Sequence, residues 1–169
     1  RTAELETLAD ECRARGALVA PAALDVRDAS AMQSYAEAFL AQAQGIDLVI
    51  ANAGLSAPDT LASGQAAAHS ALFAVNVLGA LHTLLPFIPQ MIRQQQGQLV
   101  AIASVAGFRA LPGSTTHAAS KVAVRTLTEG EGWAWRRYGI ATTAIAPGFV
   151  VSEMTAHNQF YMPFLLPTD

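Results

Sequence analysis

Charge is scarce in this chain. Only 14% of its 169 residues are charged, the net charge is −3, and no run of Lys or Arg occurs. Such a surface has no field for gripping nucleic acid or an anionic membrane, so neither is expected as a partner. Cysteine is nearly absent too. Cys12 stands alone, which excludes an internal disulfide and a multi-cysteine metal site and predicts a half-buried helix residue. No metal centre is expected. From Leu61 to Ile92 there is no Asp, Glu, Lys or Arg. Gln65, His69, Asn76, His82, Pro86, Pro89 and Gln90 interrupt that stretch, so it reads as a helix covered by protein rather than a membrane span. The opening Arg1-Thr-Ala-Glu-Leu-Glu is charged and helical, unlike a secretory signal, and a cytoplasmic location is the expectation.

What is present is apolar. Hydrophobic residues make up 52% of the chain, enough for a heavily buried α/β core and too much for disorder. The pattern predicts one domain over residues 1–169, without repeats or linkers. Leu5, Leu8, Ala9 and Cys12 fall at helical spacing, with Gly16 as the stop. Ala17 to Val26 reads as a buried strand ending in Asp25. Asp28 or Ser30 caps a second helix through about Ala43. Ile46–Ala51, Gln98–Ala103 and Ile140–Ile145 read as further strands. Between them lie a long uncharged helix, from about Gln65 to Gln95, and another from Thr115 to Tyr138.

Nearly unbroken Val/Ile/Ala strands separated by helices predict a doubly wound parallel sheet, Rossmann-like and three-layered (α/β/α). Ligands of such sheets bind outside the carboxyl ends of the strands. Asp25, Asn52-Ala53-Gly54, Ser104 and Pro147-Gly148 all fall at those ends.

The ordered fragments LDV, NAG, NVLGA, SVAG, ASK and PGFV, from about Gly16 to Met154, resemble the short-chain dehydrogenase/reductase family. Each fragment is weak alone, whereas six in the right order are specific. The resemblance implies a nicotinamide cofactor, NAD or NADP, along the carboxyl edge. On that pattern Asp25 meets the adenine amino group with the Val26 backbone beside it. Asn52, Ala53 and Gly54 form the turn through which the backbone approaches the ribose; a glycine there has no Cβ to obstruct it. Pro147, Gly148 and Val150 pack on the nicotinamide, and Ser152 keeps the hydroxyl with which the family's threonine meets the carboxamide. Ser104 polarises the substrate carbonyl. Lys121 binds the ribose and, as a cation, lowers the pKa of the acid/base beside it. Asn76 holds a water linking that lysine to solvent. Phe108, Leu111, Met154 and Phe160 are offered as an apolar substrate pocket.

Three departures accompany the resemblance. The family's opening strand and Gly-rich turn have no counterpart here, and a continuation is expected after Pro167-Thr168-Asp169, so a domain incomplete at both ends is expected. Arg1 would then lie near an adenosine 2′-phosphate, a lean toward NADP. The third departure is His117. It stands 13 positions after Ser104 and four before Lys121, where the family places its tyrosine.

Imidazole titrates near ~6.5 and can serve as an acid or base. It is shorter than a phenol, however, and Lys121 nearby would keep it neutral, with one N–H still to offer. Two readings follow. One is an NAD(P)-dependent oxidoreductase that interconverts a secondary alcohol and a carbonyl, weakened by the histidine. The other is a non-catalytic protein that keeps the fold. Either is expected to form a homodimer or homotetramer through the two long helices, which carry Leu72, Val75, Leu81, Leu85, Trp133 and Trp135.

Overall fold

A computed structural model describes residues 2–56, 64, 66–110, 113–156 and 161–168. Helix α1 spans Thr2–Ala14 and α2 spans Ala29–Ala43. Asp28 caps α2: its carboxylate accepts from the Ala31 N–H at 3.0 Å and from the Ser30 hydroxyl at 2.6 Å. The cap is therefore Asp28, with Ser30 as its helper. Strand β1 is Leu48–Ala51, β2 is Gly97–Ile102 and β3 is Ile140–Ile145. They form a parallel sheet in the order β1-β2-β3, with Val49 opposite Leu99 and Leu99 opposite Thr142.

One helical rod joins β1 to β2, and it is not uniform. It begins as α3 (Ala66–Phe73), loosens into a π turn (Ala74–Leu78) and resumes as α4 (Gly79–Leu84). A tight 3-10 turn (Leu85–Phe87) then leads into α5 (Ile88–Gln94). Pro86 and Pro89 lie at the starts of these last two segments, where a missing N–H is tolerated. After β2 comes a 3-10 turn (Val105–Gly107), then α6 (Thr115–Trp135), which tightens at Arg136–Tyr138. The short helix α7 spans Glu153–Ala156.

Alternation along the strands sends Val49, Ala51, Leu99, Ala101 and Ile140 to one side. There they pack with Ala36 of α2, Ala80 and Leu84 of α4, Met91 of α5 and Val124 of α6. The apolar rod is thus a core helix along one stripe, with Leu72, Leu84, Ile88 and Met91 buried. On the other side of the sheet Leu48, Ile50 and Ile145 are exposed, while Val100 is buried. Helices α2, α4, α5 and α6 all contribute to the core on the Leu99 face of the sheet.

Two expectations are corrected. Ala17 to Val26 is irregular rather than a strand. A strand needs a partner for its backbone, no described segment pairs with this one, and Pro21 offers no N–H. Leu18 is fully exposed in consequence. Leu72, assigned to an outward face, lies in the core at 2% exposure.

Hydrogen bonds from Ser30 and then Ala31 hold the Asp28 carboxyl below its ordinary value of 3.8. The cap's contribution is therefore complete above that pH and is lost as pH falls through the lowered folded value. Asp28→Ala is expected to lower the thermal midpoint by about 2–4 °C at pH 7. Circular-dichroism melts should show the difference from wild type shrinking below pH ~4; a difference independent of pH would contradict the capping role.

Candidate active site

The carboxyl end of β1 runs into Asn52-Ala53-Gly54 and then Leu55, and there the rod reaches the sheet edge. Asn76, in the π turn, is 1% exposed. Its Oδ1 accepts from the Leu55 N–H at 2.7 Å, and its Nδ2 donates to the Leu55 carbonyl at 3.0 Å. A buried amide left unpaired would be costly. This one also donates, at 3.0 Å, to the hydroxyl of Ser120. That hydroxyl in turn donates to the His117 carbonyl at 2.7 Å.

His117 sits on the first turns of α6, buried at 8% exposure, with Nδ1 3.2 Å from the Leu55 carbonyl oxygen. The adjacent Thr116 hydroxyl lies 2.7 Å from Nδ1 of His69 on α3, which ties the start of α6 to the rod. One turn beyond His117, Lys121 is also buried and donates from Nζ to the Ile102 carbonyl at 2.6 Å. Burial holds its ammonium below the ordinary lysine value of 10.5. An ammonium has three hydrogens, so two remain for a ligand. A Cβ built on Gly54 would lie 3.6 Å from Lys121 Nζ and 3.5 Å from Asn76 Oδ1. The turn after β1, the π turn and α6 therefore meet at one point.

Ser104 reaches that region from β2. Its extended backbone continues the pairing of the sheet: Ala103 N–H donates to Ile145 and Val105 N–H to Pro147. The Ser104 hydroxyl oxygen accepts from the Ala106 N–H at 3.1 Å. Its hydrogen has no acceptor among the described residues, so the group is poised to donate. The following 3-10 turn presses on α6 at Gly107, whose missing Cβ would meet the Lys121 carbonyl oxygen at 3.0 Å. A glycine here lets the Ser104 turn lie against the helix that carries His117 and Lys121.

The remaining predicted residues take varied places. Asp25 is exposed, and the Arg27 guanidinium grips both its carboxylate oxygens. That pairing, helped by the Arg27 N–H, holds the Asp25 carboxyl down at about 2. The Val26 carbonyl receives His82 Nδ1 of α4 at 2.9 Å. Pro147 and Gly148 follow β3, and Val150 forms a bridge with Leu166. Ser152 turns toward Thr155 at the head of α7, the two hydroxyl oxygens lying 3.3 Å apart. Phe108 is 67% exposed and lies under the Arg125 guanidinium, 4.7 Å from its ring centre. Leu111, Phe160, Arg1 and the side chain of Met154 lie outside the described residues. Sequence reasoning missed Leu55, Ser120, Gly107 and His82 as parts of this edge. Ser120 carried the one available signal, being a polar residue three positions after His117 on the buried face of α6.

The family description "short chain dehydrogenase" matches residues 1–160. The chain belongs to that family. Within the short-chain dehydrogenases it is 40% identical to an uncharacterized oxidoreductase of Myxococcus xanthus (strain DK1622) over 168 residues, which is 99% of this chain and 66% of that protein. Gluconate 5-dehydrogenase of Burkholderia cenocepacia J2315, solved with NADP and tartrate, superposes with a TM-score of 0.84 at 31% identity. That match covers 89% of this chain and 59% of the other. NAD+-bound xylitol dehydrogenase superposes with a TM-score of 0.87 at 25% identity, over 96% of this chain and 66% of the other. These likenesses place the chain in the doubly wound, Rossmann-type α/β fold. It spans about two thirds or less of the length of these relatives.

The close approach of Val26 to the rod can be tested directly. A Cβ on Gly79 would lie 2.5 Å from Val26 Cγ2 and 3.1 Å from its Cβ, and valine is too stiff to swing aside. Gly79→Ala is expected to lower stability by about 1–3 kcal/mol. Adding Val26→Ala should recover much of that loss in a denaturant double-mutant cycle. Purely additive effects would place Val26 away from the helix.

Proposed function

We propose that this chain carries the catalytic edge of an NAD(P)-dependent oxidoreductase that interconverts a secondary alcohol and a carbonyl. The observation that carries the reading is that His117 and Lys121 reach the turn after β1, at Leu55 and Gly54, on a family member's sheet edge. The fit to a dinucleotide is chemical. The edge offers an exposed carboxylate at Asp25, open backbone at Asn52 and Ala53, and two unused ammonium hydrogens on Lys121. Pro147, Gly148, Val150 and Ser152 complete the proposed cofactor contacts. NADP is the first cofactor to test, as the relative from B. cenocepacia was solved with it.

A bound nicotinamide supplies or accepts hydride at the substrate carbon. The chain's own residues do the rest. Ser104 donates its hydroxyl hydrogen to the carbonyl oxygen, stabilising the charge that develops there. His117 exchanges a proton with that oxygen in place of the family's tyrosine. Lys121 holds the ribose and adds positive charge, and Asn76 holds the water path expected for it. Phe108, Leu111, Met154 and Phe160 remain the proposed apolar pocket for a lipophilic or small uncharged substrate.

We further propose a cytoplasmic homodimer or homotetramer, on the support of the apolar surface shared by the rod and α6. Leu78, Leu85, Leu127 and Trp133 are exposed there. Between α4 and α6 lies a cavity of about 270 Å³, bounded by Leu81, Leu85, Leu127 and Trp135. Light scattering after size exclusion that gives a clean monomer would count against the assembly.

The substitution at His117 favours a second reading, a non-catalytic protein that keeps the fold. Turnover of a ketone panel with NADPH or NADH separates the two. His117→Tyr is expected to raise kcat/KM strongly, and Ser104→Ala to lower it by about 10²–10³. No gain from His117→Tyr, together with no cofactor binding by calorimetry, would leave the non-catalytic reading standing.

A further inference from the structure

Helix α4 grips Val26 in two ways. The Val26 carbonyl accepts from Nδ1 of His82 at 2.9 Å, and the Val26 side chain fills the space that a Cβ on Gly79 would need. Gly79 and His82 are three positions apart, hence neighbours on one face of the helix. The turn around Val26 is also closed by its own residues. The Asp28 N–H donates to the Asp25 carbonyl at 3.0 Å, and the Arg27 N–H to Asp25 Oδ1 at 2.9 Å. Arg27 holds both carboxylate oxygens with its guanidinium.

Two groups of this turn still have bonding capacity. The Val26 N–H has no acceptor among the described residues. The Asp25 carboxylate is exposed, and an ionised carboxylate offers about four lone-pair sites. A free donor thus stands one residue from an acceptor. That pair complements the edge of an adenine, where an amino donor adjoins a ring-nitrogen acceptor. His82 itself is half-buried in a stretch of helix without Asp, Glu, Lys or Arg. Packing alone asks for no imidazole there. What the ring supplies is one N–H, delivered to a loop carbonyl 56 positions away.

We infer that His82 is a positioning residue for the adenine end of the dinucleotide: by holding the Val26 carbonyl on α4, it presets the Val26 N–H and the Asp25 carboxylate as a donor–acceptor pair. The inference rests on the oxidoreductase reading, which supplies the dinucleotide. His82 acts through Val26 and orders the turn before the ligand arrives, so less affinity is lost to ordering it on binding. The grip depends on where the donor sits. An asparagine amide nitrogen occupies the place of Nδ1, a glutamine carries its amide one methylene further, and leucine has no donor. If His82 merely filled space, leucine and glutamine, the closer in volume, would replace it best. As a positioning donor it is best replaced by asparagine, the smallest of the three.

The test is calorimetry on the intact protein with NADPH, NADH and ADP-ribose, all of which carry adenine. His82→Leu and His82→Gln should each weaken binding of the three by about three- to tenfold, while His82→Asn stays within about twofold of wild type. Unchanged affinity in His82→Leu and His82→Gln would overturn the inference, as would a larger loss in His82→Asn than in His82→Leu. A loss seen with NADPH and NADH but not with ADP-ribose would move the effect to the nicotinamide end and overturn it too. Hydrogen exchange at the Arg27 and Asp28 amides reads the grip without any cofactor, and it should quicken in His82→Leu and His82→Gln but not in His82→Asn. A wild type that binds none of the three ligands would sink the dinucleotide reading and the positioning role together. Quickened exchange would then still establish the grip on Val26, and unaltered exchange would overturn that as well.

Discussion

The helical rod between β1 and β2 holds the strand it follows at both ends, and it does so with two side-chain amides. Before β1, Gln94 accepts from the Ile46 N–H at 3.0 Å and donates to the Ile46 carbonyl at 2.9 Å. After β1, Asn76 does the same for Leu55. Each amide presents one donor and one acceptor, as a neighbouring strand would, and so completes the backbone pairing that the sheet does not supply there. The position of the turn after β1, and of everything that leans on it, follows from these two grips.

At the Asn76 end this arrangement is also where the chain concentrates buried polarity. Asn76, Ser120, His117 and Lys121 are all at 8% exposure or less. Polar groups at that depth are tolerated when each is satisfied, and such satisfaction leaves little freedom to move. The Leu55 carbonyl shows the economy of the network, its two lone pairs taken by Asn76 and by His117. Lys121 is the exception in charge. Its buried ammonium is held by one backbone carbonyl, so the fold tolerates a disfavoured cation where the proposed chemistry needs one.

Much of this was legible in the sequence, because local patterns carried it. Periodicity placed the helices and three of the strands, and the ordered fragments located the edge residues Asn52 to Gly54, Ser104, His117 and Lys121. The strand expected at Ala17–Val26 did not form, since apolar content marks a capacity for pairing while pairing itself depends on a neighbour. The roles of Leu55 and Ser120 were illegible for a different reason. Leu55 acts through its backbone, which any residue type supplies, and Ser120 acts only because helical spacing sets it under Asn76. Likewise, an amide within an apolar run signalled importance without revealing that its partners lay 21 and 44 positions away.

The π turn at Ala74–Leu78 gives the rod a change of phase. One extra residue in a helix of 3.6 residues per turn rotates all that follows by about 100° relative to what precedes. The N-terminal portion can thus address α6 through His69, while α4 addresses β1 and Val26. A uniform helix of the same composition would have to choose between these faces. The rod is consequently intolerant of any gain or loss of a single residue in this turn, which would rotate its α6-facing portion out of phase with its β1-facing portion.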